Sequence, residues 1–153
     1  MLPDVVKLQK QMKNKLDIAY TIAETADVST PKDSVVLYSI SYQKTPKNKQ
    51  NALEYMKNNP SAKMLDNTEC GRLLIELGLE TGNDNPPEEL LKIWAIASKR
   101  FILSASGNIT AFVDNANKRS TFISVELPLI LQNEKILSIN GIDKFEFAKQ
   151  WKI

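Results

Sequence analysis

Histidine is absent from the 153 residues. That absence removes Ser-His-Asp and Cys-His triads, histidine-pair ribonuclease chemistry and every histidine-based zinc site, leaving carboxylates, hydroxyls, aromatics and lysine as the available chemistry. Cysteine occurs once, at Cys70. A single thiol forbids an internal disulfide and a cysteine-cluster metal centre, and it suits a fold that survives in a reducing cytosol. Glycine is scarce too. The five glycines, at 71, 78, 82, 107 and 141, form no GxGxxG, and none precedes Lys-Ser or Lys-Thr. Rossmann dinucleotide binding and a P-loop are therefore unsupported. No run of eighteen apolar residues exists, so no transmembrane span is expected, and the opening MLPDVVKLQKQMKNKL lacks the apolar core of a secretory signal.

What is present describes a globular chain, 42% hydrophobic and 25% charged, of a length that fits one domain, residues 1–153. The net charge of +2 is unevenly spread: residues 1–65 hold ten lysines against six acids, and residues 66–85 hold five acids against one arginine. Lys44, Lys47 and Lys49 form the densest basic stretch. No aromatics are interleaved with them, so they read as a solvated loop and no nucleic-acid partner is expected.

Val5, Leu8, Met12, Leu16, Ala19, Ile22 or Ala23, and Ala26 recur at the spacing of one amphipathic helix over residues 4–26. Ser34–Ile40 is a β-branched run of buried-strand length, and Ala52–Met56 gives two helical turns. Asp66 stands as N-cap candidate with Glu69 three residues later, and Gly78 or Gly82 stops that helix. Pro86 launches the next helix, which Gly107 closes as a C′ glycine. Ile109–Val113 and Lys135–Ile139 read as strands, with SVELPLILQN between them as a loop leading into a short helical turn. The expected class is α/β: a helical N-terminal portion packed on a small, mainly parallel sheet, with 1–33 and 50–105 mainly helical and 34–40 and 107–153 sheet-forming. Ligands of such sheets sit at the carboxyl ends of the strands.

Three stretches carry a more specific signal: Trp94-Ala-Ile-Ala-Ser98-Lys-Arg-Phe101, Ser106-Gly107-Asn108-Ile109-Thr110-Ala111 and Ser120-Thr121-Phe122-Ile123-Ser124-Val125-Glu126. In order and separation they resemble the ADP-ribosyl cyclase family of NAD-cleaving enzymes. Upstream, Leu65-Asp66-Asn67-Thr68-Glu69-Cys70-Gly71-Arg72-Leu73 looks like the family's Leu-Glu-Asp-Thr-x-x-Gly-x-Leu segment, and Val36-Leu37-Tyr38-Ser39 like its strand ending in Trp-Ser. The resemblance runs from about Val35 to Asn140 and departs from the family in lacking disulfides.

The resemblance implies a catalytic trio of Glu126, Trp94 and Asp66. Glu126 would hold the ribose hydroxyls of NAD and face the oxocarbenium ion. Nicotinamide in NAD is already a cationic leaving group, so one buried carboxylate can do most of the work. The plain structural alternative is that Glu126 caps the turn before Pro128 or pairs with Arg119. Trp94 would pack on the nicotinamide end; Ser98, four residues on and hence on the same helical face, would bind a phosphate oxygen. Trp94 also suits an ordinary core position. Tyr38 stands where the family has a second tryptophan, Ser39 matches a phosphate-contacting serine, and Ile40 replaces a frequent arginine. Thr121 and Phe122 would supply a hydroxyl and a backbone amide near the phosphates. Asp66 replaces a glutamate that influences whether the product is cyclised or hydrolysed, or else simply begins a helix.

The expected activity is cleavage of NAD to nicotinamide and ADP-ribose, with some cyclic product, needing no metal or accessory cofactor. Small size and the missing disulfides point to an interbacterial toxin domain, the end of a larger secreted protein, acting on cytoplasmic NAD and neutralised by an immunity protein. A histidine-free toxin ribonuclease acting on tRNA through Lys99, Arg100, Arg119 and Ser120, or a non-catalytic binding module, stays open as an alternative; from Pro86 onward nine basic residues face seven acids, which argues against a basic groove.

Overall fold

The computed structural model describes residues 2–39, 46–79, 87–114, 116, 120 and 122–151, with side chains from Lys13 onward in the first helix. It forms two compact units, one of residues 1–28 and 65–97, the other of 29–64 and 98–153.

In the first unit, helix α1 (Leu2–Thr25) buries Ala19 and Ala23 completely, as the expected spacing requires. It packs against α3 (Glu69–Glu76). Cys70 is the small residue at that contact: it is fully buried, its Sγ donates to the Ile22 carbonyl at 3.4 Å, and its amide donates to the Asp27 carbonyl at 3.0 Å. Asp66 does not cap α3. It lies in a 3-10 turn, Leu65–Asn67, and the cap is Thr68, whose hydroxyl accepts from the Gly71 amide at 3.1 Å and donates to the Leu65 carbonyl. The reason is steric: a Cβ on Gly71 would fall 2.1 Å from the Leu65 carbonyl oxygen, so only glycine lets the 3-10 turn lie against the helix and bring the threonine into reach. At its far end α3 closes with a Schellman motif, in which Gly78 (φ 81°) donates to Ile75 and Leu79 donates to Leu74.

Helix α4 (Glu88–Ser104) carries Glu88 and Glu89 in its first turn, where they favour the helix dipole. Pro86 lies outside the described residues. Gly107 is not the closing residue of α4, because the helix ends at Ser104 and Gly107 opens a strand. Its positive φ of 78° places the would-be Cβ 2.0 Å from Asp33 Oδ1, and that oxygen accepts from the Asn108 amide at 2.7 Å. The ladder with β3 shifts register at this point.

The second unit holds a four-stranded sheet in the order β1 (Val36–Tyr38), β2 (Gly107–Phe112), β3 (Ile136–Ile139), β4 (Ile142–Asp143). The first three strands are parallel, as the α/β reading expects, and β4 returns antiparallel. That fourth strand was not anticipated. It follows from Asn140-Gly141, both at positive φ (52° and 77°), the backbone of a two-residue hairpin turn. Helix α2 begins at Pro46 and runs to Asn58, so Lys47 and Lys49 are exposed helical residues and not a loop; Lys44 lies outside the described residues. Ala52 of α2 packs with Val36, Ala62 and Met64 under Tyr38, Tyr55 and Phe112. The short helix expected within SVELPLILQN is α5 (Leu127–Gln132), but what leads into it is a π-helical turn, Phe122–Glu126, and not a loop; α6 (Lys144–Ala148) follows β4.

Candidate active site

Glu126 stands at the junction of the π-helical turn and α5. The turn is widened because Pro128 has no amide to donate to the Ser124 carbonyl, and its ring would press on that carbonyl in α geometry. Ser120 fastens the start: its hydroxyl accepts from the Ile123 amide at 3.2 Å, and its carbonyl accepts from the amide and hydroxyl of Ser124, each at 2.8 Å. Phe122, Ile123, Leu127 and Ile130 bury the inner face.

Glu126 itself is half-buried, with its carboxyl enclosed by protein on most sides. Burial pushes that carboxyl up to about 7. It makes no capping bond to α5, and among the described residues nothing bonds or pairs with it, which removes the capping alternative; Arg119 lies outside the described residues. Enclosure therefore favours the neutral carboxyl, and the ionised form becomes the major one only above about pH 7.

Phe122 has a role that the sequence concealed. Its ring is fully buried in an aromatic trio, 6.0 Å from Trp151 and 6.5 Å from Phe147, which are themselves 5.4 Å apart. Trp151 Nε1 donates to the Ala116 carbonyl at 2.9 Å. The side chain thus anchors the turn, leaving only the backbone amide for a ligand. Thr121 lies outside the described residues, as does Ile40.

Trp94 and Ser98, both half-buried, lie four residues apart on α4. The indole Nε1 donates to the Leu79 carbonyl at 2.7 Å, so the Schellman end of α3 fixes the ring. Tyr38 ends β1 opposite Phe112, half-buried. Ser39 follows it, buried, its amide donating to the Phe112 carbonyl at 3.1 Å. A buried residue that sequence reasoning missed, Asn48 at the start of α2, donates Nδ2 to the carbonyls of both Ser39 (2.9 Å) and Asp114 (3.0 Å), clamping the chain as it leaves β1 and β2. Nothing in its Lys-rich surroundings marks it. Asp66 is exposed. The candidates therefore gather in local groups: Tyr38 with Ser39, Trp94 with Ser98, and Phe122 with Glu126. Among the described residues no cluster of three or more Cys, Asp or Glu could hold a metal ion, and no helix is long and apolar enough to cross a membrane.

Compared with known proteins, the chain is similar to porcine CD38 solved with a covalent intermediate, ribo-F-ribose-5′-phosphate: TM-score 0.54, 23% identity, covering 86% of this chain and 71% of that one. The fold is that of the ADP-ribosyl cyclases. An ADP-ribosyl cyclase complexed with N1-cIDPR superposes at TM-score 0.50 and 21% identity, over 71% of this chain and 48% of that one; the chain thus matches about half of that cyclase's length. No protein-family model and no curated protein matches the sequence. The cyclase-like fold agrees with the α/β class expected from the strands and helices.

Proposed function

We propose that the protein cleaves the nicotinamide–ribose bond of NAD, consuming one water and releasing nicotinamide, ADP-ribose and a proton. The observation that carries this reading is the half-buried Glu126 carboxylate, without a partner among the described residues, at the end of the Phe122–Glu126 turn in a cyclase-like fold. Departure of nicotinamide leaves positive charge on the ribosyl carbon. An ionised Glu126 in low-dielectric surroundings stabilises that charge without needing to deliver a proton to the leaving group. Trp94, its ring already fixed by Leu79, packs on the nicotinamide end, and Tyr38 supplies a second aromatic surface for the substrate. Ser39, Ser98, Thr121 and the Phe122 amide hold the diphosphate, and Asp66 biases the fate of the ribosyl cation toward water or toward adenine.

No metal or accessory cofactor enters this scheme. Small size and the lack of disulfides support a setting in which the domain is delivered as the end of a larger secreted protein, depletes cytoplasmic NAD in a target cell, and is held inactive in its producer by an immunity protein. The deciding experiment incubates the purified protein separately with NAD and with total tRNA. Release of nicotinamide is expected. Degradation of tRNA with NAD intact would replace this reading with a ribonuclease, and inertness toward both would leave a binding module.

A further inference from the structure

Lys144 is buried, 7% exposed, and among the described residues no carboxylate pairs with it. Its Nζ donates instead to the carbonyls of Asn133 at 2.8 Å and Ile130 at 3.4 Å. Both oxygens lie at the C-terminal end of α5 and accept a backbone amide as well, Ile130 from Asn133 at 3.2 Å and Asn133 from Ile136 at 3.0 Å; Lys144 adds a cation there, where the helix dipole is negative. Asn133 extends the node by donating Nδ2 to the carbonyls of Ile102 (2.9 Å) and Ala105 (3.1 Å), so the ends of α4 and α5 meet over one buried cation. Burying an ammonium group costs free energy that an apolar side chain of similar length would avoid. The cation therefore requires an explanation beyond space filling.

Helix α5 supplies one. Its six residues are far below the length at which a helix is stable alone, about 12 residues or more. Its entry has neither an amide at Pro128 nor a side-chain cap at Glu126. At the other end Asn133 ties it to α4 and Lys144 of α6 ties it from the opposite element; α6 also places Phe147 against Phe122 at the start of the turn. We propose that Lys144 is a positioning residue for Glu126: by bonding the last carbonyls of α5 it holds that helix, and with it the turn that presents the carboxylate, in working orientation. This rests on the reading of Glu126 as the reactive carboxylate.

The test compares Lys144→Met, which keeps the stem and drops the cation, with Lys144→Arg, which keeps the cation, and with Ile136→Val, which weakens the same unit at β3. Lys144→Met is expected to lower kcat for NAD cleavage about 10- to 100-fold with KM within about twofold, because misplacing a catalytic group affects the reacting step more than binding. Amide exchange from Ile123 to Ile130 should quicken in the same variant. Lys144→Arg should recover most of kcat, and Ile136→Val should lower the melting temperature alone. A Lys144→Met protein that behaves like Ile136→Val, less stable but with unchanged kcat and unchanged exchange over residues 122–130, overturns the proposal. If Lys144→Met does not fold, Lys144→Gln takes its place under the same criteria. If the unmodified protein leaves NAD intact, the proposed function fails, and amide exchange alone decides the positioning role.

Discussion

Asp66 and Glu126 each stand beside the start of a helix, two carboxylates in similar sequence settings with opposite surroundings. At α3 the cap is made by another residue: Thr68 caps the helix, Gly71 admits the preceding turn, and Asp66 is exposed. At α5 the acid makes no cap, the proline removes a donor, and the carboxylate is enclosed with no partner among the described residues. Where another residue caps the helix, the acid beside it is not needed as a cap. Where no cap is made and the acid is enclosed, its charge raises the energy of the folded state.

Removing the enclosed charge should have the largest effect. Glu126→Gln preserves shape but loses the charge facing the ribosyl cation, so NAD turnover should fall roughly 100- to 1000-fold, about 3 to 4 kcal/mol in the barrier. With the carboxyl raised to about 7, the active ionised form accumulates only as the pH climbs through neutrality, and kcat/KM should rise across that interval. Stability runs the other way. A carboxyl whose folded pKa is raised above its unfolded value contributes stability that is full below pH 4.5 and lost as the pH rises through about 7. Glu126→Gln should therefore melt higher than the unmodified protein above pH 7, by an amount equivalent to up to about 3 kcal/mol. Near-native cleavage by a folded Gln variant would erase the contrast between the two acids.

Gly71→Ala should be next, costing on the order of 3 kcal/mol, since the new methyl meets a backbone carbonyl and cannot be turned aside. Thermal unfolding measures it, and a loss below about 1 kcal/mol would mean that the 3-10 turn is not pinned as described.

Trp94→Phe deletes the bond to Leu79, worth about 1 kcal/mol, and should lower the melting temperature by a few degrees, roughly 2 to 4 °C for a chain of this size. NAD should quench the fluorescence of the unmodified protein but not of this variant. A quench that persists unaltered would place the reporter at Trp151.

The smallest effects belong to the exposed acid. Thr68→Ala should cost about 1 kcal/mol, whereas Asp66→Ala should change stability by less than about 0.5 kcal/mol. Total NAD consumption by Asp66→Ala should stay within about twofold, while the proportion of cyclic to linear product moves. The unmodified protein should give mostly linear ADP-ribose, because Asp66 and Tyr38 reach less far than the larger side chains of the family. Predominant cyclic product on chromatography would break that part of the comparison.

The parallel strands were legible because β-branched runs such as SVVLYSI leave few alternatives, and α1 because its small apolar residues keep helical spacing. The hairpin to β4 was written in Asn140-Gly141 but passed unread, since two residues of strand show no alternation. The turn at 122–126 misled for a physical reason: Ser124-Val125-Glu126-Leu127-Pro128 looks like a loop when the widening that accommodates the proline is not visible. Glu126 was legible only through the motif around it. Its surroundings were not, because Phe147 and Trp151 lie more than twenty residues away in sequence, and Lys144 reads as surface charge until its burial is known.

The pairing of β1 with β2 joins Val36 to Thr110. At synthesis rates of about 5 to 20 residues per second, the first strand waits roughly 4 to 15 seconds for its neighbour, and β3 emerges later still. Contacts so distant along the chain also close slowly, because a long loop must be ordered before any ladder bond rewards it. The sheet is thus a late product of folding. A nascent chain carries every residue of the Glu126 turn before it has the β3 and α6 framework that supports it, so the turn is completed only after the last strands of the sheet have emerged.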